Sequence, residues 1–185
     1  MRFEELPPQE ALPSLTTTRL LLRPMTLADV ADVFAYAGDP QVLRYTTGTP
    51  PRHIDETEAF VRDALAAPND RMWAIRLRGA PTVIGAIEFG LQSPASGSIH
   101  YALGRPYWGR GLMTEVVDAV CRWAFQTLSM LLEITTAVVD ANGGSARVLE
   151  KCEFARTGVT VERWAKLEQP VTLLIFRLKR PALSQ

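Results

Sequence analysis

One stretch decides the fold of this chain: Ser98-Ile99-His100-Tyr101-Ala102-Leu103-Gly104-Arg105-Pro106-Tyr107-Trp108-Gly109-Arg110-Gly111-Leu112-Met113-Thr114-Glu115. It begins as an apolar strand, passes through a turn, and runs from Gly109 and Gly111 into apolar residues at helical spacing. The first turn of a helix offers free N–H groups and the positive end of the helix dipole. Glycine lets the backbone approach a phosphate closely. The stretch therefore predicts an anion site at the start of a long helix.

Two common phosphate loops do not fit this stretch. A Walker A loop requires Gly-Lys-Ser/Thr, and no lysine lies nearby. A Rossmann fingerprint requires a third glycine where Thr114 stands, so a dinucleotide-binding protein is a distant alternative. The segment from Tyr107 to Glu115 instead resembles the pyrophosphate-binding loop of the GCN5-related N-acetyltransferases (GNAT), in particular the ribosomal-protein N-terminal (RimJ/RimL-type) branch. Without a ligand, the same pattern is a tight glycine turn before a helix, with Glu115 as a first-turn acid favoured by the dipole.

Composition limits the function classes. The chain has 185 residues, 47% hydrophobic and 22% charged, which suits one globular domain with a sizeable core. Acidic and basic residues balance, so nothing favours nucleic-acid or membrane-surface binding. Two cysteines, Cys121 and Cys152, form neither a disulfide framework nor a zinc cluster, and we expect no metal. Because no stretch is apolar enough for a membrane span or a signal peptide, we expect a cytoplasmic protein.

Secondary-structure signals follow the order β-α-α-β-β-β-α-β-α-β-β. This order predicts a single α+β (mixed α/β) domain over residues 18–180, between an N-terminal arm of residues 1–17 and a tail of residues 181–185. Thr26 and Asp29 are typical of a helix start, and Phe60 is assigned to the inner face of the second helix. Residues 90–97 are predicted to be a loose turn. Strands are expected at 19–24, 72–77, 82–89, 98–103, 132–139, 155–162 and 171–177, and helices at 27–37, 55–66, 111–128 and 143–151.

A second motif strengthens the family resemblance. Members of the family commonly show an asparagine, a serine three residues later, a Leu-Glu-Lys run and a Gly-Phe pair. Here Asn142, Ser145, Leu149-Glu150-Lys151 and Phe154 match in the same order. With both motifs, the resemblance extends over about residues 18–178.

The resemblance implies a GNAT fold, in which a twisted mixed sheet with helices on both faces splays between two parallel strands. It also implies that acetyl-coenzyme A is the cosubstrate and enters the gap. Strands that separate leave backbone groups unpaired, which a ligand amide can satisfy. The implied pantetheine contacts are the backbones of Tyr101, Ala102 and Leu103, together with Ser145. Asn142 is implied either to contact the pantetheine or to position the substrate. The implied pyrophosphate contacts are Gly109, Arg110, Gly111, Leu112, Met113 and Thr114, with added charge from Arg105 and Arg110 if they are not merely solvated.

Acetyl transfer to an amine needs a base, a donor for the carbonyl oxygen and a proton for the departing thiolate. The backbone N–H of Leu103 is the expected oxyanion donor. Glu88, at the end of a hairpin strand, and His100, beside Tyr101, are the candidate bases, acting directly or through water. Each is equally typical of a hydrogen-bonded residue in a sheet.

The proton donor departs from the usual family pattern. Many acetyltransferases carry a tyrosine seven residues after the asparagine, where this chain has Leu149. Ser145, or a water that it holds, is the substitute suggested by the ribosomal branch; Ser145 is equally an ordinary hydroxyl at a helix start. Glu153 stands where the family usually has glycine, and a left-handed backbone there would cost about 1 kcal/mol or more.

The resemblance implies that the acceptor is an amine, either a protein N-terminus or a small molecule. An N-terminal amine, with a pKa near about 8, needs only a mild base. Residues 44–53 and 92–97 are expected to rim the acceptor side. Tyr45, Trp73 and Trp164 are candidate wall residues, although aromatic residues in such positions are more often core residues. The main hypothesis is an acetyl-coenzyme A-dependent N-acetyltransferase, monomeric or homodimeric. The alternative, motivated by Leu149 and Glu153, is an acyl-coenzyme A-binding module without turnover.

Overall fold

Eight strands form one sheet in the computed structural model of the protein, which describes residues 6–181. The strands are β1 (Leu15–Thr16), β2 (Leu20–Pro24), β3 (Asp70–Leu77), β4 (Val83–Ser93), β5 (Ser96–Leu103), β6 (Glu133–Val139), β7 (Ala155–Glu162) and β8 (Val171–Lys179). The helices are α1 (Val30–Ala37), α2 (Ile54–Ala66), α3 (Leu112–Thr127) and α4 (Gly143–Lys151). In space the strands follow the order β1-β2-β3-β4-β5-β6-β8-β7. Among the strands of residues 6–181, only β5 and β6 pair in parallel.

Helices cover both faces of the sheet, as the sequence predicts. Side chains alternate along a strand, so Trp73 and Ile75 of β3 face α3, whereas Met72 and Ala74 face α1 and α2. The larger core lies under α3, whose buried residues repeat at helical spacing (Val116, Val117, Val120, Ala124). The mixed α/β fold class is confirmed.

The strands differ from the sequence-based expectation in two places. Leu15–Thr16, within the predicted arm, pairs with β2 and adds an eighth strand. The segment 90–97 is not a loose turn, since β4 continues to Ser93 and Leu91 pairs with Gly97. A Cβ on Gly97 would lie 2.6 Å from the Phe89 ring. The glycine therefore permits close packing inside the hairpin rather than a change of chain direction.

The second helix buries a different face from the one predicted. Phe60 is 59% exposed, so its assignment to the inner face is wrong. Thr57 and Val61 are buried instead, and Ala64 and Leu65 pack beside them. This stripe follows the spacing i, i+4, i+7 and i+8, which excludes position 60.

The described part of the predicted arm packs on the domain. Leu6 and Leu12 are buried in the main core. The Gln9 amide donates to the Met72 carbonyl (2.6 Å) and accepts from the Met72 N–H (3.1 Å), so the arm extends the hydrogen bonding at the start of β3. Residues 1–5 of the arm and 182–185 of the tail lie outside the described residues.

The C-terminus of α4 is a Schellman motif with glutamate at its left-handed position. Glu153 has φ 65°, and the N–H of Phe154 donates to the Leu149 carbonyl at 3.0 Å. The N–H of Glu153 donates to the Glu150 carbonyl at 3.1 Å. The motif forms because Leu149 and Phe154 both join the core, and their burial offsets the cost of a left-handed glutamate.

Replacing this glutamate by glycine is expected to stabilise the protein. Glu153→Gly removes about 1–2 kcal/mol of backbone strain from the folded state. The greater conformational freedom of glycine also stabilises the unfolded chain by about 0.4–1 kcal/mol, so the free energy of unfolding should rise by roughly 0.5–1 kcal/mol. Urea unfolding followed by circular dichroism measures the difference. Glu153→Ala removes the charge but keeps the strain, so it should not reproduce the gain. Equal stabilisation by alanine would show that charge, not backbone, is the cause.

Candidate active site

The head of α3 has the geometry of an anion site. After β5 the chain passes through a 3-10 turn, Arg105–Tyr107, to Gly109 (φ 72°) and Gly111 (φ 74°), which precedes the helix directly. Nothing lies within 4 Å of the position that a Cβ on Gly109 would occupy. The first intrahelical bond runs from the Glu115 N–H to the Gly111 carbonyl at 3.4 Å. The amides before Glu115 therefore point out of the helix start without an intrahelical partner.

Arg19, in the turn between β1 and β2, holds the glycine turn in place. Its Nε donates to Glu115 at 2.5 Å, and its Nη1 donates to the Arg110 carbonyl at 2.8 Å. The Thr17 hydroxyl donates to the second Glu115 oxygen at 2.6 Å. Burial acts to raise the pKa of Glu115, but these hydrogen bonds and the charge of Arg19 outweigh it, so the pKa is lowered. Glu115 thus keeps its charge near the positive end of α3.

The parallel strands separate beside this helix start. Pairing between β5 and β6 is limited to Ser96–Glu133, Gly97–Ile134 and Ser98–Thr135. Beyond these pairs, the Thr136 hydroxyl donates to the Ile99 carbonyl at 2.9 Å, at the point where the two strands begin to separate. Because backbone groups alternate in direction, the N–H groups of Tyr101 and Leu103 face the gap that β6 has left. A ligand amide or carbonyl fits such unpaired groups.

One side chain covers the mouth of the gap. The Trp108 indole N–H donates to the Leu103 carbonyl at 2.6 Å, and the residue is 46% exposed. This bond occupies the carbonyl of Leu103 but leaves its N–H directed into the gap. The expected oxyanion donor is therefore accessible from the space between the strands.

The start of α4 forms the other wall of the gap. Asn142 caps the helix: its Oδ1 accepts from the Ser145 N–H at 3.2 Å, and its Nδ2 donates to Ser145 Oγ at 3.1 Å. The Tyr101 hydroxyl reaches the Ser145 carbonyl at 3.4 Å. Leu149 is fully buried in the core and offers no polar group to the gap. Asn142, Ser145 and Tyr101 are thus brought together where β5 and α4 face each other.

The candidate bases lie on the opposite face of the sheet. Glu88 on β4 stands directly across from His100 on β5. Asp70 leans over Gly90, where a Cβ would lie 2.5 Å from its Oδ1. Burial and then the charge of Asp70 raise the pKa of Glu88, while burial lowers the pKa of His100 against the opposing effect of Asp70. A cavity of about 180 Å³ lies beside His100, next to the point where β5 and β6 separate.

The two candidate phosphate-binding arginines have different surroundings. Arg105 Nε pairs with Asp39 at 2.7 Å, which directs its charge toward the end of α1. Arg110 lies over the Tyr107 ring at 5.7 Å and has no acidic partner within residues 6–181. Arg110 is therefore the better placed of the two to meet a phosphate.

The predicted acceptor walls are distributed unevenly. Trp73 is fully buried, and its ring packs edge-on against Trp123 at 4.8 Å, so it offers no surface to an acceptor. We therefore leave Trp73 out of the acceptor site. Trp164 is nearly buried, whereas Tyr45 is half-buried under Arg44.

A lysine contacts one of the two predicted acceptor loops. Lys166, between β7 and β8, donates to the carbonyls of Leu43 (2.8 Å) and Gly48 (2.7 Å). Burial lowers the pKa of its amine. The predicted acceptor loop is therefore anchored to the C-terminal part of the chain.

A further cavity of about 390 Å³ lies between the head of α3 and the end of α4. Lys151 supplies positive charge there against the carboxylates of Asp118 and Glu153.

Within residues 6–181, no three His, Cys, Asp or Glu side chains are grouped to hold a metal ion. The helices of this described part include none that is long and apolar enough to cross a membrane.

The family model for the acetyltransferase (GNAT) domain matches residues 19–155, which include both motifs and the split sheet. The chain belongs to the GNAT acetyltransferase family. As a member, it is an acyltransferase. A relative, the uncharacterized N-acetyltransferase p20 of Bacillus licheniformis, is 31% identical over 155 residues, which cover 79% of this chain and 84% of that protein.

Solved structures support the GNAT fold. The GNAT-family acetyltransferase from Bacillus anthracis superposes with a TM-score of 0.81 at 21% identity, covering 90% of this chain and 98% of that one. RimL, a ribosomal L7/L12 alpha-N-protein acetyltransferase in complex with coenzyme A, gives a TM-score of 0.77 at 16% identity, covering 90% and 98%. At these identities the likeness establishes the fold alone.

Sequence reasoning missed Arg19 and Asp70. Arg19 meets Glu115 from 96 positions away, and no local pattern links the two residues. Asp70 was missed because the predicted strand began at Met72, two residues too late. In the structure Asp70 pairs with Gly90, two positions along β4 from Glu88, which places Asp70 and Glu88 on the same face of the sheet.

Proposed function

We propose that this protein transfers the acetyl group of acetyl-coenzyme A to a primary amine by direct attack. The observation that carries the proposal is the parting of β5 and β6 after Ser98 and Thr135, beside a helix start with two positive-φ glycines. The gap offers N–H groups for the pantetheine and the thioester oxygen. The amides of residues 109–114, with Arg110, suit the diphosphate.

The acceptor side supports an amine substrate. Glu88 and His100 face one another on the side of the sheet away from α3, with Asp70 adding negative charge. A cationic ammonium is attracted to such a cluster, and its proton has nearby acceptors. We propose an N-terminal α-amine of a protein, as in the RimJ/RimL-type branch, or a small-molecule amine. An α-amine, with a pKa of about 7.7–8.0, needs only a weak base.

A thiol-release assay tests this function. The protein is mixed with acetyl-coenzyme A, a thiol reagent and a panel containing peptides with free α-amines, the same peptides with blocked N-termini, and small amines. We expect thiol release with free amines only. Binding of acetyl-coenzyme A by calorimetry without thiol release from any amine would instead indicate a binding module.

Gly111→Ala is expected to weaken the use of acetyl-coenzyme A. A methyl group at φ 74° costs about 1–2 kcal/mol, and relief of this strain turns the nearby amides away from the diphosphate, which raises KM for acetyl-coenzyme A roughly tenfold. Gly79→Ala is the matched control, since Gly79 has φ 81° and lies in the β3–β4 turn. Nothing lies within 4 Å of a Cβ at position 79, and a Cβ at position 111 would make only an ordinary contact with Arg19 Nη2 at 3.5 Å. Steady-state kinetics compare the two. An equal rise of KM in both variants would contradict the phosphate site.

A further inference from the structure

The Tyr101 side chain spans the gap between the separated strands. Its backbone belongs to β5, three residues beyond the last β5–β6 pair at Ser98. Its hydroxyl lies 3.4 Å from the Ser145 carbonyl on α4, which begins after β6 ends. The phenol therefore lies over the space in which the proposed function places the thioester.

Two other side chains at this wall, those of Leu149 and Ser145, are less suited to donate a proton. Leu149, at the position where many relatives carry tyrosine, is fully buried and apolar. Ser145 is held in the helix cap by both groups of the Asn142 amide. The Tyr101 hydroxyl has one long hydrogen bond to a carbonyl, which a thiolate can replace as acceptor.

We propose that the Tyr101 hydroxyl protonates the departing thiolate, an inference that rests on the proposed function. In this role the side chain of Tyr101 replaces the tyrosine that is missing at Leu149. Its backbone keeps the separate task of pairing with the pantetheine.

The acidity of a phenol suits this step. An ordinary phenol has a pKa of about 10, close to about 8.5 for an ordinary thiol. Burial raises the pKa of Tyr101, so the hydroxyl stays protonated at neutral pH. The same burial destabilises a thiolate in the gap, which keeps the transfer between the two groups near balance.

The proton balance closes with residues on both faces of the sheet. The acceptor nitrogen forms its bond to the acetyl carbon, and the carbon–sulfur bond breaks with its electron pair on sulfur. Tyr101 gives its proton to sulfur. The proton lost by nitrogen goes to the Glu88–His100 pair and returns through water to the tyrosinate. Because His100 and Tyr101 are consecutive on β5, base and acid lie on opposite faces of the strand.

The test compares two single-atom deletions with a control. Tyr101→Phe and Ser145→Ala each remove one hydroxyl from the gap. Tyr36→Phe removes a hydroxyl from a partly buried tyrosine of α1 that packs against the core on the other face of the sheet. For each variant, kcat and KM are measured with an amine that supports turnover, and coenzyme A binding is measured by calorimetry. We expect Tyr101→Phe to lower kcat about 10²-fold while Kd for coenzyme A stays within about threefold. Ser145→Ala should lose less than about tenfold, and Tyr36→Phe should match the unchanged protein.

Three results would overturn the assignment of Tyr101. They are a kcat above one third of the original in Tyr101→Phe, a parallel loss of coenzyme A affinity, or a larger loss in Ser145→Ala. If Tyr101→Phe does not fold, 3,5-difluorotyrosine at position 101 keeps the shape and lowers the phenol pKa. The alkaline limb of kcat should then move to lower pH, and an unchanged limb would reject the proposal. Absence of turnover by the unchanged protein would overturn the proposed function itself.

Discussion

Removing both candidate bases is expected to lower kcat about 10²–10⁴-fold, the usual contribution of general base catalysis. The double variant Glu88→Gln/His100→Gln keeps hydrogen-bonding side chains at both positions but takes away both proton acceptors. The acceptor amine then loses its proton only to water. Steady-state kinetics with saturating acetyl-coenzyme A measure the effect. Glu58→Gln, on the exposed face of α2, is the matched control. A double variant with more than a tenth of the original kcat would show that the amine deprotonates without this pair.

The pH profile separates the two residues. Burial lowers the pKa of His100 below 6.5, so its imidazole is neutral at pH 7 and becomes protonated as the pH falls through that lowered pKa. Burial and Asp70 raise the pKa of Glu88 above 4.5, so its carboxylate is lost in the acid range as well. Whichever residue is the base, kcat should fall at low pH as that residue becomes protonated, which gives the pH profile an acid limb. The limb should disappear in the single variant of the residue that accepts the proton and persist in the other.

Trp73→Ala is expected to destabilise the protein by about 3–5 kcal/mol. Trp73 is fully buried, its ring packs edge-on against Trp123, and its indole N–H donates to the Pro13 carbonyl at 2.9 Å. The substitution leaves a cavity and an unpaired carbonyl under the N-terminal segment. Against a total of about 5–15 kcal/mol for a domain, this is a large fraction.

Urea unfolding followed by circular dichroism measures this loss. Trp108→Ala, which removes a half-exposed indole, should cost about 1 kcal/mol or less. Trp73→Phe keeps most of the packing and should leave KM for the acceptor amine unchanged. A rise in that KM without a loss of stability would return Trp73 to the acceptor wall.

Local features could be read from the sequence. The turn at Gly109 and Gly111, the helix cap at Asn142 and the left-handed Glu153 each depend on a few neighbouring residues. Their spacing therefore carries the information directly, and the family resemblance added the split sheet. Both motifs lie within the matched residues 19–155.

Other features depend on residues distant in the chain. The Arg19–Glu115 pair and the bonds from Lys166 to residues 43 and 48 join segments about a hundred positions apart. Aromatic residues were ambiguous for another reason: a tryptophan in an amphipathic strand has the same pattern whether it lines a pocket or a core. Trp73 lies in the core because side chains alternate along β3, and that of Trp73 is on the face that packs against α3.

The Arg105–Asp39 pair connects the turn before α3 with the loop that follows α1. Arg105 precedes the turn at the head of α3, and Asp39 begins the loop that Lys166 anchors at residues 43 and 48. A shift of the turn before α3, where the cofactor is proposed to bind, must therefore either carry that loop along or break the pair. Arg105 is 62% exposed, and an exposed ion pair contributes about 0–1 kcal/mol. Cooperativity between donor and acceptor transmitted through this contact is thus limited to about a fivefold change in affinity.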